Sequence, residues 1–171
     1  HLHLSRSLRL GPGATVIVVD GRGGRYDAVV ESIDRRGADL SVRRFEPVSR
    51  PAPVDLALPL IRMPRLEIAV EKGAEIGVRR ILPLRSARVR WRGDAHREQK
   101  LRGRIERKLV AAVKQSGRAW LPVVESPVTV ADLCRDRSSY ESLLVARPDG
   151  STPAETIAGG LATPALCVVG P

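Results

Sequence analysis

At 171 residues the chain can bury a real core, as one large domain or two small ones. Its formal charge of +10 points to an acidic partner, while aromatics at 3% leave few rings on which bases could stack. No apolar run approaches membrane-spanning length, and no signal peptide precedes the first strand. Three histidines without a cysteine or carboxylate cluster give no zinc site. A cytoplasmic protein with neither membrane nor metal partner is therefore expected. Cys134 and Cys167 lie far apart without CxxC spacing and read as small hydrophobes in a reducing compartment.

The charge is unevenly spread. Residues 1–118 carry 26 Lys/Arg against 13 Asp/Glu, whereas residues 119–171 carry 3 against 6. The segment 79–118 alone holds 14 basic and 3 acidic residues. Charge concentrated in this way is the footprint of a face that binds a polyanion, and nucleic acid is the leading candidate. An arginine-biased solvated surface has the same composition, since 25 of the 29 basic residues are arginine.

In chain order, HLSRSLRL reads as a short helix or turn that Gly11-Pro12-Gly13 ends. Three β-rich runs follow, Ala14–Val19, Arg25–Ile33 and Ala38–Phe45, separated by glycine-containing turns. That spacing predicts a small β-barrel or sandwich. GRGG at 21–24 lacks the Lys-Ser/Thr and the following helix of a phosphate loop, so it is read as a hairpin turn. Pro47–Pro53, with three prolines, reads as a semi-rigid linker. The domains are accordingly expected at 1–50 and 51–171.

Val54–Leu60 and Ile81–Leu84 are apolar runs of strand length flanking a helical pattern. Leu66, Ala69, Val70, Gly73 and Ile76 form its apolar face, with Glu67, Glu71, Lys72 and Glu75 on the other side as a solvated ladder. Gly77 is placed to close this helix in the left-handed conformation, and Arg79 and Arg80 to favour its carboxyl end. A helical Glu75 would pair with Arg79 four residues on. Two strands joined through a helix should be parallel neighbours with a right-handed crossover.

A basic connection, Arg85–Arg92, leads to a long helix from about Asp94 to Ser116, with Asp94 as N-cap and Gly117 as terminator. Leu101, Ile105, Leu109, Ala112, Val113 and Ser116 make its apolar face. Arg97, Lys100, Arg104, Arg107 and Lys108 form a separate basic stripe suited to a phosphate backbone. Leu121–Glu125 is expected as a third strand, Thr129 with Asp132 as the capping box of a short helix through Cys134, and Leu143–Ala146 and Ala165–Val169 as further strands. Alternating strands and helices predict a mostly parallel sheet, whose ligands bind beyond the carboxyl ends of the strands. The chain starts abruptly at His1 and stops at Pro171 straight after an apolar strand, which reads as cut.

No nucleophile–base pair and no working pair of carboxylates stands out. Four segments nevertheless follow one another in a familiar order: HLSRSLRLGPG at 3–13, GRGGRYDAVV at 21–30, RMPRLEIAVEKGAEIGVRRILPL at 62–84 and AAVKQSGRAWLPVV at 111–124. In these the chain resembles the RsmE family, methyltransferases of the knotted SPOUT superfamily that modify N3 of a uridine in 16S ribosomal RNA. The final CVVGP looks like the start of that family's GPEGG loop.

The resemblance implies a PUA-like β-barrel for RNA binding followed by a SPOUT-type α/β domain, a homodimer, and S-adenosylmethionine as cofactor. The C-terminal knot would be incomplete in this chain, truncated before its last segment. Arg6 and Arg9 match the family's HxxRVLR segment, Arg65 its basic residue before the first helix, and Gln115–Arg118 its EQSGR. Leu144–Pro148 aligns with a strand and loop near the cofactor, and Gly170 and Pro171 open the glycine loop. The resemblance therefore makes Leu144, Arg147, Pro148, Gly170 and Pro171 candidate cofactor residues. Arg6, Arg9, Arg65, Arg97, Lys100, Arg104 and Arg118 are candidates for RNA, and Arg65 and Arg118 for catalysis. The chain departs from the pattern at Arg147, where the family has His, at Lys114 in place of Glu, and at Ala87 in place of Glu. The expected partner is 16S ribosomal RNA or the small ribosomal subunit. The rival reading is a non-catalytic RNA-binding or ribosome-assembly protein whose α/β domain lost its cofactor.

Overall fold

A computed structural model describes residues 10–34, 37–86, 94–147 and 160–170. Two compact units divide the chain: residues to Arg50 with Gly117–Trp120, and Pro51–Ser116 with Leu121 onward.

The first unit is an antiparallel sheet in the order β1 (Thr15–Val19), β2 (Gly24–Ile33), β3 (Ala38–Pro47). Its β-branched runs alternate across the sheet, with Ala28 and Val30 on the buried side. GRGG is indeed a hairpin turn. Asp20 accepts hydrogen bonds from the backbone of Arg22 and Gly24 at 2.7 and 2.9 Å, which folds the chain back on itself. Those two donors hold the Asp20 carboxyl below the ordinary carboxylate range. Residues 117–120 close onto this turn, with the Gly23 amide donating to the Ala119 carbonyl at 2.9 Å. The Trp120 indole donates to the Val48 carbonyl at 2.9 Å, and the Arg50 guanidinium lies 4.6 Å from its ring centroid. Gly23 has φ +100°, and a methyl there would lie 2.4 Å from the Trp120 ring, so no side chain fits.

The second unit is built from β4 (Val54–Pro59), α1 (Met63–Ile76), β5 (Arg80–Arg85), α2 (Ala95–Ser116), β6 (Val123–Val124), β7 (Val128–Thr129), α3 (Val130–Arg135), β8 (Ser142–Ala146) and β9 (Ala165–Val169). The sheet order is β6-β5-β4-β9-β8, with β7 also on β5, and every pairing is parallel. The α/β architecture expected from the alternation is therefore present. One face carries α1, where Leu56 packs so close to Gly73 that an added methyl would sit 3.1 Å from its Cδ2. On the other face Ala57, Leu82, Leu84 and Leu166 gather with Leu133 of α3.

Helix α1 ends as expected, with Gly77 at φ 87° and its amide bonded back to the Gly73 and Ala74 carbonyls. Its buried face is Leu66, Val70, Gly73 and Ala74. Ile76, expected there, is 70% exposed, because Ala74 takes the contact in the last turn. Helix α2 buries Leu101, Ile105, Leu109, Ala112 and Val113. Ser116 is exposed rather than part of that face, and its hydroxyl turns back to the Ala112 carbonyl at 2.8 Å. Asp94 caps the helix by accepting from the Arg97 amide at 2.9 Å. The expected strand at 121–125 shrinks to Val123–Val124, since β5 shares that edge between two short partners, β6 and β7. The capping box of Thr129 and Asp132 is formed, and it holds the Asp132 carboxyl below its usual range. Cys134 is exposed rather than buried, while burial raises the Cys167 thiol.

Candidate cofactor edge and basic helix pair

Because the strands of the second unit are parallel, their carboxyl ends share one edge. From β4 the chain steps to β5 and β6 on one side, then later fills β8 and β9 on the other, so strand order reverses between β4 and β9. Open α/β sheets bind ligands at such a switch point. Ala146 stands opposite Val169, and the Gly170 amide donates to the Ala146 carbonyl at 3.3 Å. Arg147 and Gly170 thereby follow the ends of adjacent strands, while Leu144 stands opposite Cys167, two residues short of the end of β8. Leu144 is half-buried, and Arg147 and Gly170 are exposed. Arg65 lies in the first turn of α1, which begins four residues beyond the end of β4, and is exposed. Pro148 and Pro171 lie outside the described residues, as do Arg6 and Arg9.

Leu144 supplies apolar surface and Arg147 a cation. Among the described residues, a methyl at Gly170 would meet the Ala146 carbonyl alone, at 3.6 Å.

The glutamates of α1 do not form a solvated ladder. Glu67 pairs with Arg104 and Glu71 with Lys108 on α2. Both pairs share the same sequence offset, so the two helices run parallel in fixed register. That register sets Lys100 level with Met63, at the carboxyl edge, with Arg97 a turn earlier on α2. The Lys108 bond, with its charge, holds the Glu71 carboxyl below its ordinary range. Arg85, ending β5, pairs with Glu98 in the first turn of α2. Glu75 pairs with Lys72 rather than Arg79, which lies beyond the helix's closing glycine and turns elsewhere.

Arg79 and Arg80 do not serve the end of α1 as expected: both bind Asp55. This carboxylate is completely buried near the start of β4. It accepts from Arg79 Nε and Nη2 at 2.8 and 2.7 Å, from Arg80 Nε and Nη2 at 2.9 and 2.6 Å, and from the Tyr140 hydroxyl at 2.8 Å. Burial pushes the Asp55 carboxyl up, but these five bonds together outweigh it and leave it below the usual range. Burial and the neighbouring carboxylate raise the Tyr140 hydroxyl. The cluster sits at the amino ends of β4 and β5, opposite the ligand edge, and joins them to the segment leading into β8. Sequence reasoning missed it. The signal was an aspartate inside the apolar run VDLALPL, which burial would force to find cations.

Arg118 belongs to the 117–120 segment held by the first unit and is half-buried. Trp120, which anchors that segment, was also missed; its distance in sequence from Val48 hid the contact. Among the described residues no helix is long and apolar enough to cross a membrane, and no cluster of His, Cys, Asp and Glu could hold a metal.

An antiparallel N-terminal sheet and a parallel α/β sheet make up the two units, and comparison with known proteins assigns each of them a family. Residues 48–171 match the RNA methyltransferase domain family, and residues 2–43 match the RNA methyltransferase PUA domain. The chain belongs to the RNA methyltransferase family of RsmE-like proteins. It is 30% identical over 176 residues to the ribosomal RNA small subunit methyltransferase E of Mycobacterium bovis, covering 99% of this chain and 66% of the relative. To the protein of the same name from Synechocystis it is 29% identical over 141 residues, covering 82% of this chain but 45% of the relative. The crystal structure of the Neisseria gonorrhoeae enzyme of that name, bound to S-adenosyl methionine, superposes with a TM-score of 0.79 at 20% identity. That likeness covers 98% of this chain and 69% of the other and concerns the fold. The chain thus spans between 45% and 66% of the length of these two curated relatives.

Proposed function

We propose that this chain carries the RNA-binding and donor-binding parts of an S-adenosylmethionine-dependent methyltransferase that modifies N3 of a uridine in 16S ribosomal RNA. The observation that carries the proposal is that Arg147 and Gly170 adjoin at the carboxyl ends of β8 and β9, next to the switch point between β9 and β4, in a chain of the RNA methyltransferase family. Leu144, Arg147, Pro148, Gly170 and Pro171 are the residues proposed to hold the donor. When bound, the donor supplies a methyl group already activated on a sulfonium, so the protein's part is placement and electrostatics.

Uridine N3 carries a proton and is a poor nucleophile until it leaves. Positive groups near the base stabilise the charge that then spreads onto O2 and O4. Arg65 and Arg118 are the proposed groups. Arg6, Arg9, Arg97 and Lys100 are proposed to position the strand through its phosphates, with Arg104 held beside them by Glu67 and the target base drawn out of its stack. Ile68 and Ile76 stand 59% and 70% exposed on α1, which suits coverage by a second copy in a homodimer. The proposed setting is the cytoplasm, with free rRNA or the small subunit as substrate.

Calorimetry of the full-length protein with S-adenosylmethionine tests the donor site. Saturable heat is expected. No heat at high concentration, with RNA binding intact, would favour an RNA-binding or assembly protein. Arg118→Ala should cut methylation far more than RNA binding, and equal losses would make Arg118 a binding residue only.

A further inference from the structure

The basic stripe of α2 is not uniform. Lys100, Arg104, Arg107, Lys108 and Ala111 line a groove of about 500 Å³ against Glu67 of α1. Two of its four cations are already committed, Arg104 to Glu67 and Lys108 to Glu71. Lys100 and Arg107 make no ion pair among the described residues. With both glutamates counted the groove keeps two positive charges, and the two helices that build it are fixed in register by the committed pairs.

We infer that this groove is a phosphate-backbone site for RNA in which Lys100 and Arg107 make the contacts, while Glu67 and Glu71 hold Arg104 and Lys108 as its walls. This rests on the RNA-directed reading above and deepens it. Arg107 lies seven positions beyond Lys100, roughly 10 Å along the helix axis at 1.5 Å per residue. Two cations that far apart serve two separate phosphates. No aromatic side chain lines the groove, so it reads charge and spacing rather than base identity. Interhelical pairing matters because an unpaired arginine or lysine at 104 or 108 would be free to swing and blur that spacing. Held against α1, the two cations narrow the groove and leave its charge at the unpaired positions.

The test is the salt dependence of binding to purified small-subunit rRNA, measured with the full-length protein. Each phosphate contact contributes about 0.7 to the slope of log affinity against log salt for single strands and about 0.9 for duplex. Lys100→Ala with Arg107→Ala should therefore make the slope shallower by about 1.4 to 1.8. A control pair, Lys72→Ala with Arg102→Ala, removes the same charge from side chains paired within their own helices. It should change the slope by less than half as much. Equal changes in the two double variants would reduce the effect to bulk charge and overturn the inference. So would an unchanged slope in the groove variant while wild type binds and methylates RNA, which leaves the proposed function standing. A wild-type protein with no affinity for rRNA would sink both.

Discussion

Removing the Asp55 carboxylate is the sharpest perturbation of the second unit. In Asp55→Ala the Arg79 and Arg80 guanidiniums lose four hydrogen bonds and Tyr140 loses one. Breaking a buried ion pair by deleting one partner costs about 3–5 kcal/mol, because the remaining charge is left without compensation. Here the two arginine side chains are 32% and 34% exposed and recover some hydration, which places the loss near the lower end, about 3 kcal/mol. Tyr140→Phe removes the bond to the carboxylate and the one the hydroxyl accepts from Arg80 Nη2 at 2.9 Å, and should cost about 1–2 kcal/mol. Urea unfolding followed by far-UV circular dichroism reads this directly, since the described helices all lie in the second unit. With a slope of about 2 kcal/mol per molar, Asp55→Ala should move the midpoint down by about 1.5 M without changing that slope. The pH dependence has a definite sign. The folded carboxyl titrates below its unfolded value of 3.8, so the contribution is complete above that pH and is lost as pH falls through the lower folded value. Asp55→Asn should lack that acid-side loss. An Asp55→Ala variant within about 1 kcal/mol of wild type, or a Tyr140→Phe variant equally damaged, would refute this reasoning.

Other expectations concern single positions. Gly23→Ala forces a side chain into the Trp120 ring at positive φ, and should cost roughly 2–4 kcal/mol of first-unit stability, measured as a lower thermal midpoint. Thr129→Ala removes one half of the capping box and should cost about 1 kcal/mol, read as a small fall in urea midpoint. Leu66→Ala, at a site 1% exposed under α1, should cost about 2–5 kcal/mol by the same measurement.

Periodicity made the strands of both units and the helices of the second legible. Val54–Pro59, Met63–Ile76 and Ala165–Val169 could be read from apolar spacing, and Gly77 and the Thr129–Asp132 box from local chemistry that needs no distant partner. What failed was whatever depended on a partner far along the chain. Arg79 looked like a helix-end cation because its true acceptor lies 24 residues earlier, on a neighbouring strand. Glu67 and Glu71 looked solvated because the cations they bind are 37 residues away on α2. Ile76 satisfied the helical period yet faces outward, since a period locates a stripe but not where the neighbouring sheet stops covering it. At the candidate site, Leu144, Arg147 and Gly170 were marked by resemblance alone; the adjacency of Arg147 and Gly170 required knowing that β8 pairs with β9.

Methyl transfer to N3 of a uridine is tested most directly by nucleoside mass spectrometry. Small-subunit RNA lacking the modification would be incubated with the full-length protein and S-adenosylmethionine bearing a labelled methyl group, then digested and analysed. One labelled uridine per RNA, methylated at N3, is the predicted result. RNA that is bound tightly yet returns only unlabelled uridine would contradict it.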